Sequence, residues 1–369
     1  MVPVNTAVES VRLPPLQEGI SLTYNLLQVH LWHWLAFAVL VVFLLVLDLV
    51  VFHRRIHTPT LRESALWSGF WVGLALAFNA FVWWWGYQTH GNSEAGTKFL
   101  TGYLVEKSLS VDNLFVFAVI FRYFHVELKY QYRVLFWGVL GAIILRLVFI
   151  LAGVGLLHLF DWTLLVFGVF LVYTGFRLAS AHGEEVHPEH NLFLRTARRW
   201  LPVTKGFHEE HFFWRENGRL YVTPLLLVLL VVESSDVLFA VDSVPAILGI
   251  TKDPFIVFTS NIFAILGLRA LYFLLAGVID RFRYLHYGLA AILVFIGLKM
   301  CGEYAGEKWL NEPPHFIPAW VSLLVIATFL TVSIVASVVA TRRENGRDAV
   351  AEVEAESPSE LETDLVDSP

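Results

Sequence analysis

Five carboxylates stand in two short segments that are otherwise apolar. These are Glu106-Lys107-Ser108-Leu109-Ser110-Val111-Asp112-Asn113 and Glu233-Ser234-Ser235-Asp236-Val237-Leu238-Phe239-Ala240-Val241-Asp242-Ser243. An ionised carboxylate in hydrocarbon costs roughly 2.5–3.5 kcal/mol on insertion scales, so such groups face cavities and serve pathways. Around them stand the hydroxyls of Ser110 and Ser243 and the amides of Asn113 and Asn261. With a backbone carbonyl these form a hard oxygen donor set, which suits Mg²⁺, Ca²⁺ or Mn²⁺; thiolate and imidazole would suit Zn²⁺ or copper. Neither Cys nor His occurs in either segment, and donor chemistry alone does not separate the three hard ions.

Charge counting favours a divalent guest. Lys107, Arg146 and Arg269 lie in apolar runs and could neutralise three of the five acids. That leaves an excess of two negative charges before Asp48 is counted. Arg146 and Arg269 are expected to be partners of carboxylates, not contacts of the ion. Asp112 and Asp242 are the expected direct ligands, with Glu106, Glu233 and Asp236 as additional ligands or proton carriers.

Helical geometry limits convergence. At 100° per residue Glu233 and Asp236 share a face, whereas Asp242 lies about 180° from Glu233. Pro245 cannot donate to the carbonyl of Val241, so a helix break there is expected to free that carbonyl beside Asp242. The first segment has no comparable device.

The elements that carry these residues follow from composition. Of the 369 residues 57% are hydrophobic and 16% are charged, which excludes an ordinary soluble domain. Runs near 31–52, 65–88, 99–122, 133–156, 158–180, 221–248, 255–277, 284–300 and 316–340 are long enough to cross a bilayer core of about 30 Å. The expected fold is all-α, a polytopic membrane protein with about nine transmembrane helices. Residues 1–30 form an extracytoplasmic segment, 31–340 the membrane body, 181–220 a cytoplasmic loop and 341–369 a disordered tail. After Arg347 the charged residues are all acids, eight of them, and without these the formal net charge of −6 becomes +2. The odd-numbered connections and the tail hold most of the 26 Lys and Arg, which places the N-terminus outside and the C-terminus in the cytoplasm. A single cysteine, Cys301, forbids an intrachain disulfide or a multi-thiolate metal site. The loop's histidines, among them His182, His187, His208 and His211, are read as a solvated polar stretch.

An internal duplication relates the two acidic segments. Ser110-x-Asp112-x-Leu-Phe matches Ser234-x-Asp236-x-Leu-Phe, Leu145-Arg146 matches Leu268-Arg269, and Gly175-x-Arg177 matches Gly297-x-Lys299. Collinear matches at nearly constant spacing imply a repeated three-helix unit, about 99–180 and about 221–300. Three helices per unit make the copies antiparallel, the inverted arrangement that transporters use to expose one midplane site alternately to both sides.

The strings Gly102-Tyr-Leu-Val-Glu106-Lys-Ser-Leu-Ser-Val-Asp112-Asn-Leu-Phe, Asp236-Val-Leu-Phe-Ala-Val-Asp242-Ser-Val-Pro245-Ala-Ile and Thr259-Ser-Asn261-Ile-Phe-Ala-Ile-Leu-Gly-Leu-Arg269-Ala-Leu-Tyr resemble the TerC family, including its Alx-type members. The resemblance runs from the first span to the ninth and leaves out the acidic tail and the His-rich loop. It implies a bacterial inner-membrane protein of the LysE-like transporter superfamily, linked to manganese export and, by its name, to tellurite resistance. It also implies that Glu106, Asp112, Glu233, Asp236 and Asp242 serve the metal pathway.

The resulting expectation is a Mn²⁺ exporter in the lipid bilayer, coupled to protons by antiport. Neither an enzyme activity, a prosthetic group nor a nucleic-acid partner is expected. The competing reading is a membrane assembly or metalation factor acting with the secretion machinery, or a tellurite-resistance component.

Overall fold

The computed structural model describes residue 27 and residues 29–53, 60–91, 94–180, 201–204, 206, 211–216, 218–275, 284–310 and 317–356. Its helices are α1 (Leu31–His53), α2 (Leu61–His90), α3 (Glu94–Tyr123), α4 (Leu128–Leu159), α5 (Thr163–Ser180), α6 (Pro224–Leu248), α7 (Pro254–Ile265), α8 (Leu268–Leu275), α9 (Leu285–Ala305) and α10 (Ala319–Glu356). Local sequence sets several boundaries. Thr60 caps α2 in a reciprocal box with Glu63, and Gly91 ends that helix in the left-handed region at φ 68°. Asp253 accepts from the N–H groups of Phe255 and Ile256 to start α7, and Pro224 and Pro254 occupy first helical positions that need no donor.

Among the described residues seven helices are each long and apolar enough to cross a bilayer, and α7 with α8 makes an eighth candidate. Large apolar side chains stand exposed along them, among them Val39, Leu66, Val148, Val169 and Val335, a surface suited to lipid and costly in water. The chain is therefore an all-α, multi-pass integral membrane protein. α3 has the length of a span at 30 residues, but its charged residues, Glu94, Lys98, Glu106, Lys107, Asp112 and Arg122, lower its hydropathy.

Two features outside the expected spans depart from the sequence reading. The connection before α6 contains a hairpin, β1 (Phe213–Glu216) paired antiparallel with β2 (Arg219–Val222). Asn217-Gly218 lies between the strands in sequence, a strong hairpin signal, and Gly218 has φ 79°. The acidic tail is not wholly disordered, since α10 runs on to Glu356; Ala, Val and Glu alternate there without a breaker after Gly346. Residues 357–369, 1–26 and the loop histidines other than His211 lie outside the described residues.

The packing brings helices of the two expected units together. α5 packs on α9, α4 on α6 and α3 on α7, and exchanging the units maps the second pair onto the third. A Cβ at Gly175 would lie 2.9 Å from the Ala290 carbonyl and 2.7 Å from Val294, while one at Gly297 would lie 2.6 Å from the Gly168 carbonyl and 2.8 Å from Val172. Gly168 and Ala290, Val172 and Val294, and Gly175 and Gly297 are each 122 residues apart. Such reciprocal contacts are those a two-fold relation produces.

The expected seventh span, 255–277, is broken. α7 and α8 meet at Leu266 and Gly267 with a 41° bend, and Gly267 adopts φ +82°. A Cβ there would also meet Trp71 of α2 at 2.5–2.7 Å. Gly267→Ala is expected to destabilise the protein by at least about 1–2 kcal/mol, the left-handed penalty alone. Thermal unfolding in detergent should show it, with Gly73→Ala, where nothing lies within 4 Å, as the matched control.

Candidate functional site

α6 continues as α-helix through Pro245 to Leu248, so the expected break beside Val241 does not form. The proline lies in the last turn, where its missing N–H costs one bond and the helix stops three residues later. Glu233 and Asp236 accordingly keep their shared face and Asp242 stays on the other side. Val241 is 39% exposed and does not line the cavity at Asp242.

That cavity, of about 90 Å³, lies among α3, α4, α5, α6 and α9. Asn113, Arg146, Thr174, Asp242 and Ser243 supply its polar wall. Leu109, Leu178, Phe239 and Leu293 supply the rest. Asn113 is 3% exposed and Ser243 is 2% exposed. The Ser243 hydroxyl has no hydrogen-bond partner among the described residues, an orphaned polar atom beside a carboxylate. On the same measure a water takes roughly 10–15 Å³, so an ion and several waters fit. The Ser110 hydroxyl, one turn before Asn113 on α3, is likewise buried without a partner.

The other carboxylates face different neighbours. Glu106 is buried and forms an ion pair with Arg146, whose Nη1 also donates to Asn261 Oδ1 at 2.6 Å. Asn261 in turn donates from Nδ2 to the Val257 carbonyl at 3.0 Å, so it orients the guanidinium. Arg146 and Glu106 also lie within electrostatic reach of the buried Asp236, and Asp236 within reach of Glu233. The half-buried Glu233 carboxylate rests over Gly141 of α4, in space that any Cβ at that position would fill. Asp112 lies in α3 immediately before Asn113, and its side chain falls outside the described residues. Among the described residues no three His, Cys, Asp or Glu side chains converge as a metal-ligand group. The helical separation within α6 explains this: its three acids serve two faces.

Arg269 pairs with Asp48 of α1 and stacks over Tyr132 at 4.7 Å and Phe136 at 5.3 Å. Among the described residues the Lys107 Nζ donates to a backbone group, the Ala264 carbonyl at the α7 break, 3.1 Å away. Sequence reasoning had counted both cations against the five acids and had no signal for Ala264. Lys299 plays a similar part at the end of α6, donating to the Gly249 carbonyl at 3.2 Å. No sequence expectation covered that contact.

The sequence comparisons agree with this architecture. Residues 91–345 match the family described as Integral membrane protein TerC family. An uncharacterized membrane protein of Myxococcus xanthus, STKORF319, is 51% identical over 86% of this chain and 95% of its own length. The putative membrane-bound redox modulator Alx of Escherichia coli K12 is 51% identical over 82% of this chain and 92% of its own. An uncharacterized membrane protein of Rickettsia bellii is 39% identical over 83% and 97%. No solved structure matches the chain.

Proposed function

The chain belongs to the TerC family of integral membrane proteins, and on that premise we propose that it exports a hard divalent cation, Mn²⁺ foremost, across the bacterial inner membrane in exchange for protons. The observation that carries this reading is the cavity in which Asp242 and the unpartnered Ser243 hydroxyl of α6 face Asn113 of α3. It draws oxygen donors from corresponding helices of the two units. Arg146 stands at its wall with its charge engaged by Glu106, and Asp242 brings a carboxylate to the same wall. The reciprocal packing of α5 on α9 supports the paired three-helix units on which alternating access would turn.

Energetics favour coupling. Moving two positive charges outward against an inside-negative potential costs about 4.6 kcal/mol per 100 mV, so export needs a driving ion. Carboxylates that release a proton as the metal arrives supply that exchange. The relatives' name points to redox modulation; within this sequence a direct thiol mechanism has only Cys301 to draw on, and metal handling uses what the membrane body holds.

Reconstituted vesicles test the proposal. Mn²⁺ uptake should follow an imposed proton gradient and exceed that of Mg²⁺ and Ca²⁺. Uptake indifferent to the gradient would remove the antiport step, and no uptake of any of the three ions would remove the exporter reading in favour of an assembly factor.

A further inference from the structure

The α7 break leaves a helix C-terminus inside the bundle, with carbonyls that have no donor four residues on. The Leu266 N–H returns to Ile262 O at 2.8 Å, and Gly267 then turns the chain away. Lys107 meets the Ala264 carbonyl from α3, the first helix of the other unit. An ammonium is the group that suits such an end, because it supplies a donor and opposes the negative end of the helix dipole.

The position of this contact matters more than its strength. Asn261 lies one turn before Ala264 on α7 and holds Arg146 of α4. Arg146 holds Glu106, the residue preceding Lys107 on α3. The three contacts form a closed circuit through α3, α4 and α7, and Arg146 is also a wall of the Asp242 cavity. Movement of the α7 end therefore carries Asn261 with it and turns the guanidinium relative to the cavity.

We infer that Lys107 is a positioning residue for the transport site: its ammonium caps the broken α7 at Ala264 and so fixes the Asn261 to Arg146 contact that shapes the cavity. This rests on the metal-transport reading for its functional consequence, but not for the cap itself.

The test uses the full chain in lipid vesicles, with Lys107→Met and Lys107→Arg compared by amide exchange over residues 262–271 and by Mn²⁺ uptake. Lys107→Met is expected to speed exchange at the break and to raise the KM for Mn²⁺ about 10-fold, the lower end for partners that orient ligands, with little change in maximal rate. Lys107→Arg keeps a cationic donor and should restore both. Lys107→Leu, which also removes both donor and charge, replaces Lys107→Met if that variant does not fold. Unchanged exchange in the folded neutral variant would overturn the cap, and faster exchange with an unchanged KM would overturn the positioning role. If the wild type takes up no Mn²⁺, the exporter reading fails while the exchange measurement still decides the cap.

Discussion

Asp242→Asn is expected to lower Mn²⁺ transport at least ~100-fold, roughly 2.7 kcal/mol of lost stabilisation, while the protein still reaches the membrane folded. Asparagine keeps the shape of the side chain and one acceptor oxygen, so a half-buried position on the cavity wall tolerates it. The charge is lost, and the second acceptor oxygen becomes an amide donor. A carboxylate and a dication about 4 Å apart attract by several kcal/mol even at an effective dielectric of about 20, and Ser243 and Asn113 offer only dipoles in its place. Asp161→Asn, at an exposed acid lining a separate surface cavity with Lys252 and Lys308, should leave transport unchanged. Vesicle uptake at matched protein density checks both variants. Transport by Asp242→Asn within about threefold of wild type would show that this cavity is not the ion's path, whatever the ion, since a mobile divalent charge at the Asp242 wall must feel that substitution.

The membrane body and the importance of the two acidic segments were legible because both rest on local composition. Spans expected at 31–52 and 221–248 are observed at Leu31–His53 and Pro224–Leu248, and Pro224 opens the second at a position that needs no donor. Partner choice was not legible. Arg269 follows Arg146 at the repeat spacing, yet one pairs with Asp48 and the other with Glu106, because α1 flanks only one of the two equivalent positions. The effect of Pro245 was misjudged for a different reason: its disruption depends on how much helix follows, and here only three residues do. The α7 break carried a visible sign, a glycine within the apolar stretch Ile262-Phe-Ala-Ile-Leu-Gly-Leu268. Its meaning depends on Trp71, about two hundred positions away in sequence, which occupies the space a side chain would need.

The second large effect concerns the pair at the centre of the circuit. Arg146→Leu leaves Glu106, 1% exposed, as an uncompensated buried carboxylate, and removing one member of such a pair costs about 3–5 kcal/mol. Loss of membrane yield and a lower unfolding temperature in detergent should follow. Adding Glu106→Gln removes the stranded charge, so the double variant should recover most of that stability, as replacement of both members of a buried pair commonly does. Its transport should not recover. Arg146 is within reach of Asp236 and forms part of the Asp242 cavity, and a leucine there gives the cavity an apolar wall where a fixed positive charge had set the field felt by an entering ion. A double variant that regains both stability and Mn²⁺ uptake would reduce the pair to a structural tie and leave the cavity's selectivity to Asp242, Ser243 and Asn113. One that regains stability alone identifies the guanidinium as the fixed charge against which the site's carboxylates exchange a proton for a dication.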